Sequence, residues 1–296
     1  MSEIELRDVV QRFHARGTPS GFLTAVQSTS FTLRSDPPHI VSLVGQSGSG
    51  KSTIARIILG LQRPSSGLVT YGGRDIFKLS RAEYDDYRKN VQPVFQDPYA
   101  IFNPFYRVDR VLRTAIKKFS LASTAAEASS LMEESLLAVK LDPGQVLGRY
   151  PHQLSGGQRQ RIMLARVHML RPSFIIADEP VSMLDAQVRK LFLDILTDFR
   201  TTYGMTTLFI THDLSTVYYI GGEVMVITRG RIVEKGPVST VMHTPSHPYT
   251  QLLLASVPQP DPDARWTDRI DIAQATAAEA GPEVPPEDEA LEARVP

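Results

Sequence analysis

Gly45-Gln46-Ser47-Gly48-Ser49-Gly50-Lys51-Ser52 decides how the rest of this chain is read. The stretch satisfies the G-x-x-x-x-G-K-[ST] pattern in full. Its glycines let the backbone curl so that successive N–H groups converge on an anion, and a helix starting beside Lys51 adds the positive end of its dipole. In such a loop Lys51 reaches the β- and γ-phosphates and the Ser52 hydroxyl can ligate Mg²⁺. Thr53 completes the set of residues expected at the nucleotide. A Gly/Ser-rich linker could match the pattern by chance, so the flanks matter. Residues 39–44 form a short β-branched run and residues 53–61 a helical pattern, which makes a strand–loop–helix unit. The loop alone specifies an NTPase and no more.

Upstream, residues 4–10 and 26–33 alternate apolar and polar side chains as half-buried strands do. Downstream, strands are expected at residues 68–71, 91–95, 174–177, 207–210 and 224–228, with a helix over 186–203. Strands alternating with helices imply an α/β fold with a mostly parallel sheet covered on both faces, beside an antiparallel part. From about residue 108 to 147 the pattern is helical without strand-like runs, which marks an inserted helical subdomain. No internal repeat is visible.

A second constellation sits in Phe174-Ile175-Ile176-Ala177-Asp178-Glu179-Pro180, a buried strand ending in two adjacent carboxylates. Ligands of open α/β sheets bind at strand C-termini. Asp178 is placed to hold Mg²⁺ through water, and Glu179 to polarise an attacking water. An acidic turn at a strand exit would look the same in isolation; its pairing with the phosphate loop favours the catalytic role. A third lies in Leu154-Ser155-Gly156-Gly157-Gln158, where Ser155 can cap a helix over 158–170 and make a second anion-binding helix N-terminus. One nucleotide needs only one phosphate cradle. A second one fits ATP held by another subunit.

With these three motifs in place, residues 4–236 resemble the ABC ATPase family, a P-loop NTPase (RecA-like) fold. The resemblance implies ATP and Mg²⁺ as ligands and ATP hydrolysis as the activity. It implies that Gln96, in Val94-Phe95-Gln96-Asp97-Pro98, senses Mg²⁺ and links to the helical subdomain (about residues 97–165). Asp185, in Ser182-Met183-Leu184-Asp185, would lie at a dimer interface, and His212, in Ile210-Thr211-His212-Asp213, would contact the γ-phosphate. Ser155, Gly156, Gly157 and Gln158 would close on the ATP of the opposing subunit. Phe13 is the choice for the aromatic that stacks on adenine, with Phe22 second; core packing is the commoner reason for a Phe. The chain departs from the family pattern at Asp36-Pro37-Pro38-His39, where a Gly-Glu turn is usual; no catalytic group lies there.

After the ATPase unit (residues 1–236), residues 237–260 include His247-Pro248-Tyr249-Thr250-Gln251-Leu252-Leu253-Leu254, a proline-started amphipathic helix. This extension, and Phe95-Gln96-Asp97-Pro98-Tyr99-Ala100, are similar to the oligopeptide/dipeptide importer branch. The resemblance implies a second ATPase subunit, identical or different, two membrane-spanning permease subunits and an extracellular solute-binding protein. It places the chain peripherally on the cytoplasmic face of the cell membrane. Branch members also move oligosaccharides and metal chelates, and the ATPase does not touch the solute. Residues 261–296 alternate prolines and acids, too polar for a core, and are expected to be disordered.

Composition narrows the alternatives. Lys+Arg 32 against Asp+Glu 32 leaves no net field to draw the chain to nucleic acid. The absence of cysteine excludes disulfides, thiolate metal sites and thiol catalysis. Acids near the N-terminus do not suit a signal peptide, and no apolar run reaches the ~18 residues that span a membrane. A soluble ABC ATPase of DNA repair or translation, or a subunit that binds nucleotide without hydrolysis, fits less well: the catalytic residues are complete and the former usually carries cysteines or coiled coils.

Overall fold

The structure is a computed structural model and describes residues 2–15, 17, 21–97 and 102–256. It comprises two units, Met1–Thr244 and Pro245–Pro296. In the first, β1 (Glu3–His14) and β2 (Phe22–Arg34) pair antiparallel. Both run longer than the alternation of the sequence suggests. Asp8 takes φ 48 and the register shifts between Leu6 and Val9, and again before Arg12. These bulges break the period of two while the ladder continues.

The chain then enters β3 (Ile40–Val44), buried along its whole length, the phosphate loop, and α1 (Lys51–Ile58). The Asp36–His39 departure is a bend between β2 and β3. β4 (Ser66–Tyr71) and the short β5 (Arg74–Asp75) return to β1, completing a four-stranded sheet in the order β2-β1-β4-β5. Next comes α2 (Arg81–Asn90), a charged helix whose apolar face is little more than Tyr87. Ser80 and Glu83 cap it reciprocally, and the buried Tyr87 hydroxyl donates to the Ile58 carbonyl.

β6 (Val91–Phe95) leads to the helical stretch: α3 (Asp109–Phe119), α4 (Ala125–Ala138), α5 (Pro143–Val146), a 3₁₀ turn at Pro151–Gln153 and α6 (Gly156–Leu170). β7 (Phe174–Asp178), α7 (Ala186–Tyr203), β8 (Thr206–Thr211), α8 (Leu214–Ile220), β9 (Glu223–Thr228), β10 (Arg231–Pro237) and α9 (Val238–His243) complete the first unit. The second sheet has the order β10-β9-β3-β8-β7-β6, parallel except for β10 on β9.

Two apolar cores flank this sheet. One joins α3, α4 and α6 to α7 through Leu112, Leu136, Ile162, Leu164, Ile195 and Phe199. The other fills the space between α1 and the antiparallel sheet with Leu6, Val26, Leu43, Ile54, Val69 and Ile210. Burial on both faces explains why β3, β7 and the middle of β8 read as near-continuous apolar runs, interrupted only by Ser42 in β3. In the second unit α10 (Pro248–Ala255) starts at Pro248, with the His247 ring accepting from Tyr249 N–H at 3.1 Å. The expected tail over 261–296 and the extension beyond residue 256 lie outside the described residues.

Candidate active site

Sheet register brings the functional residues to one edge. Val44 pairs with Thr211, and Phe95 with Asp178, which pairs with Ile210. The residues that leave the C-terminal ends of these adjacent strands are therefore Gly45, His212, Glu179 and Gln96. This is the edge where ligands bind in open parallel sheets.

The phosphate loop fits against backbone on two sides. A Cβ on Gly45 would fall 2.1 Å from the Ile227 carbonyl oxygen, and one on Gly50 2.3 Å from that of Ala25. Gly50 also takes φ 104 as the N-cap of α1. Only glycine meets both demands. Gly230 N–H donates to Ser49 O at 3.0 Å, so the turn between β9 and β10 braces the loop from outside. Ser47 and Gly48 are exposed at the loop's crest, whereas Ser49 and Lys51 are buried.

The Lys51 ammonium donates to Gly45 O at 2.7 Å and Gln46 O at 2.8 Å, folding back over its own loop. Burial pulls its pKa below the ordinary lysine value, while the Glu179 and Asp178 carboxylates hold it up. Beside it Ser52 Oγ donates to Asp178 Oδ1 at 3.1 Å. Burial raises the Asp178 pKa; the Ser52 hydrogen bond lowers it, and the neighbouring Glu179 charge raises it again. A cation next to this hydroxyl and carboxylate would reverse that upward push. The pair of hard oxygen donors suits Mg²⁺, which is held by few protein ligands and shares the rest of its shell with substrate phosphates and water.

Glu179 occupies φ 49, a left-handed conformation that costs about 1–3 kcal/mol for a residue with a side chain. Its N–H donates to Ile210 O at 2.9 Å and its carbonyl accepts from Ser182 Oγ at 3.0 Å, which holds the strained turn in place. The turn directs the carboxylate to His212, whose Nδ1 lies 2.8 Å from Glu179 Oε1. The imidazole itself is largely exposed.

Gln96 is exposed at the end of β6 and its side chain makes no hydrogen bond among the described residues. The structure does not join it to Ser52 or Asp178. Ser155 caps α6 with Gln158 in a reciprocal box: Gln158 N–H donates to Ser155 Oγ at 3.2 Å, and Ser155 N–H to Gln158 Oε1 at 2.9 Å. Gly156 and Gly157 form the first turn, and a Cβ on Gly157 would meet Val188 Cγ1 at 2.6 Å. None of these four residues hydrogen-bonds the phosphate loop of its own chain. Asp185 caps α7 by accepting from Val188 N–H at 2.9 Å. Phe13 is 38% exposed on β1, so the core explanation for it fails; Phe22 is also exposed and its ring lies 4.5 Å from that of His14.

One positioning group carries no motif signal of its own. The buried Gln160 side chain donates through Nε2 to both Phe95 O and Pro180 O, each at 3.0 Å. Those carbonyls flank Gln96 and Glu179, so one amide of α6 spans both strand exits. Its position inside an otherwise apolar helix face was the only available sign.

The sequence profile of the ABC transporter family matches residues 26–182, more than half of the chain. The chain belongs to the ABC transporter family. It is an ATP-binding, ATP-hydrolysing cassette. The profile described as oligopeptide/dipeptide transporter, C-terminal region, matches residues 233–282. Among curated relatives, the oligopeptide transport ATP-binding protein OppF of Streptococcus pyogenes serotype M1 is 40% identical over 265 residues, covering 88% of this chain and 84% of the relative. Among solved structures, the dimeric post-hydrolysis state of the ATP-binding cassette MJ0796 bound to ADP and Pi superposes with TM-score 0.69 at 25% identity, covering 79% of this chain and 98% of that one. The cassette cbiO1 of Clostridium perfringens, part of the transporter complex cbiONQ, shares the ABC fold at TM-score 0.69, 23% identity and 81% and 90% coverage. No helix among the described residues is long and apolar enough to cross a membrane.

Proposed function

We propose that this chain powers an importer of oligopeptides or dipeptides, working with a second ATPase subunit beneath two membrane-spanning permease subunits that receive solute from an extracellular binding protein. The chain would then sit peripherally at the cytoplasmic face of the membrane, through these partners. The ATPase unit is taken as residues 1–236, with the helical subdomain inserted at about 97–165 and the importer-type extension at 237–260. Kinship to OppF and the match over residues 233–282 support the solute class.

The observation that carries the chemistry is the strained Glu179 turned onto His212 at the sheet edge. Lys51 and the N–H groups of residues 45–53 bind the phosphates, and Phe13 offers its exposed ring to adenine. Ser52, Asp178 and Gln96 would hold Mg²⁺, which would neutralise charge on the phosphoryl oxygens. Glu179 orients the attacking water and accepts its proton, while His212 fixes the Glu179 carboxylate through Nδ1 and faces the γ-phosphate through the rest of its ring. Ser155, Gly156, Gly157 and Gln158 complete the partner's site across the dimer, with Asp185 at that interface. Closure of the dimer on two ATP turns the permease outward, and hydrolysis resets it.

Purification from detergent-solubilised membranes tests this assignment. Recovery of two permease chains and a second ATPase is the expected result, with uptake of peptide through the assembly. Isolation as a monomer bound to nucleic acid contradicts it, and uptake confined to oligosaccharides or metal chelates would change the solute.

A further inference from the structure

Asp213, next to His212, is held from every side. Its Oδ1 accepts from Ser215 N–H at 2.9 Å and caps α8; its own N–H donates to Thr211 Oγ1 at 3.0 Å; its carbonyl accepts from Thr216 Oγ1 at 2.7 Å. The remaining carboxylate oxygen, Oδ2, accepts from Arg189 Nη1 at 2.7 Å. Arg189 belongs to a different element, the first turn of α7, where its N–H donates to Asp185 O at 2.8 Å. Its Nε is buried without a hydrogen-bond partner among the described residues, a desolvation cost accepted to place the guanidinium. The far end of α8 is tied to α7 as well, by Tyr219 Oη donating to Asp194 Oδ1 at 2.6 Å.

His212 therefore lies in the bend just before a helix whose two ends are fastened to α7, and the fastening beside it is Arg189. An ion pair of this kind, partly buried on both sides and still reached by water, contributes at most modestly to folding. Its consequence lies in geometry: a displacement of about 1 Å at Asp213 would take the imidazole off Glu179, and misplacements of that size are costly to rate.

We propose that Arg189 is a positioning residue for ATP hydrolysis, holding Asp213 so that His212 stays on Glu179 and linking that contact through the first turn of α7 to Asp185. This rests on the assignment of Glu179 and His212 to the hydrolytic step. Where Asp185 meets a second subunit, dimer closure is felt at His212 through this link.

Turnover of the full chain, assayed with the membrane components that co-purify with it, provides the test. Arg189→Gln is expected to lower kcat about tenfold, with KM for ATP within about twofold and Tm within about 2 °C of the parent. Asp213→Asn keeps the α8 cap and loses the ion pair, so it should match that loss, and the double variant should be no slower than either single one. Arg189→Lys should recover most of the rate. Parental kcat in Arg189→Gln, multiplying losses in the double variant, or a rate loss explained by a matching fall in Tm would each overturn the proposal. Glu179→Gln run in parallel separates the two levels: if it is inactive while Arg189→Gln is unimpaired, only the role of Arg189 fails. If Glu179→Gln itself turns over normally, the underlying assignment fails.

Discussion

His212 Nδ1 and Glu179 Oε1 lie 2.8 Å apart, although 33 residues separate them in sequence and each leaves a different strand. The contact exists because β7 and β8 are adjacent and parallel, so that Asp178 and Ile210 end in register. It also needs the left-handed turn at Glu179, which aims the carboxylate along the sheet edge. Replacing His212 by Ala should leave nucleotide binding near the parental level and lower kcat by about 10²-fold or more, the scale expected when the Glu179 base is misplaced. Equilibrium ATP binding and steady-state turnover measured together check this.

The three loop glycines should respond differently to one methyl group. Gly45→Ala and Gly50→Ala drive a Cβ into a backbone carbonyl, so both should lose ATP binding or fail to fold. Gly48 has φ 82 but nothing within 4 Å of a Cβ, and Gly48→Ala should cost only the conformational penalty of about 1–2 kcal/mol. Melting temperature and ATP affinity across the three variants give the ranking.

Gln160→Leu keeps the volume of the side chain and strips the donor from Phe95 O and Pro180 O. The two orphaned carbonyls are offset in part by removal of the buried, unpartnered Gln160 Oε1, for a net loss of about 1–3 kcal/mol of unfolding free energy. Urea denaturation reads this directly. A loss under about 0.5 kcal/mol would show that neither bond matters to stability.

Acid should act on the helical part through His168, which is fully buried with Nδ1 3.0 Å from Ser135 Oγ and its ring against Phe199 and Tyr203. Burial, with a smaller push from Arg171, lowers its pKa from 6.5 to about 4. The unfolded chain binds the proton more tightly. Stability from this group is therefore complete above pH 6.5, falls as pH drops through 6.5, and levels off below 4, a total on the order of 3 kcal/mol. Unfolding free energies between pH 7 and 4 should show a steeper decline in the parent than in His168→Gln.

Much of this architecture could be read from the sequence because the strands around the site are buried on both faces. β6 and α7 fall at residues 91–95 and 186–203, as the apolar patterns require. The phosphate loop and the Asp178-Glu179 strand exit were legible for the same reason: their chemistry demands fixed spacing. β10 and α8 were not read, since one is an edge strand with exposed polar residues and the other a short helix with two exposed tyrosines. α2 carries few apolar residues, yet its Ser80–Glu83 capping pair was a usable sign. The Arg189–Asp213 pair and the partners of the two Gln160 hydrogen bonds could not be seen, although a glutamine on the apolar face of α6 was itself a sign. They depend on which helices meet in space, and no local pattern records that.

Glu179→Gln tests the central claim most directly, because the amide keeps the size of the side chain and cannot accept the proton of water. Equilibrium binding and turnover of ATP should be measured on the same preparation. The structure predicts ATP binding close to the parental affinity with hydrolysis abolished; undiminished turnover would contradict the role given to Glu179.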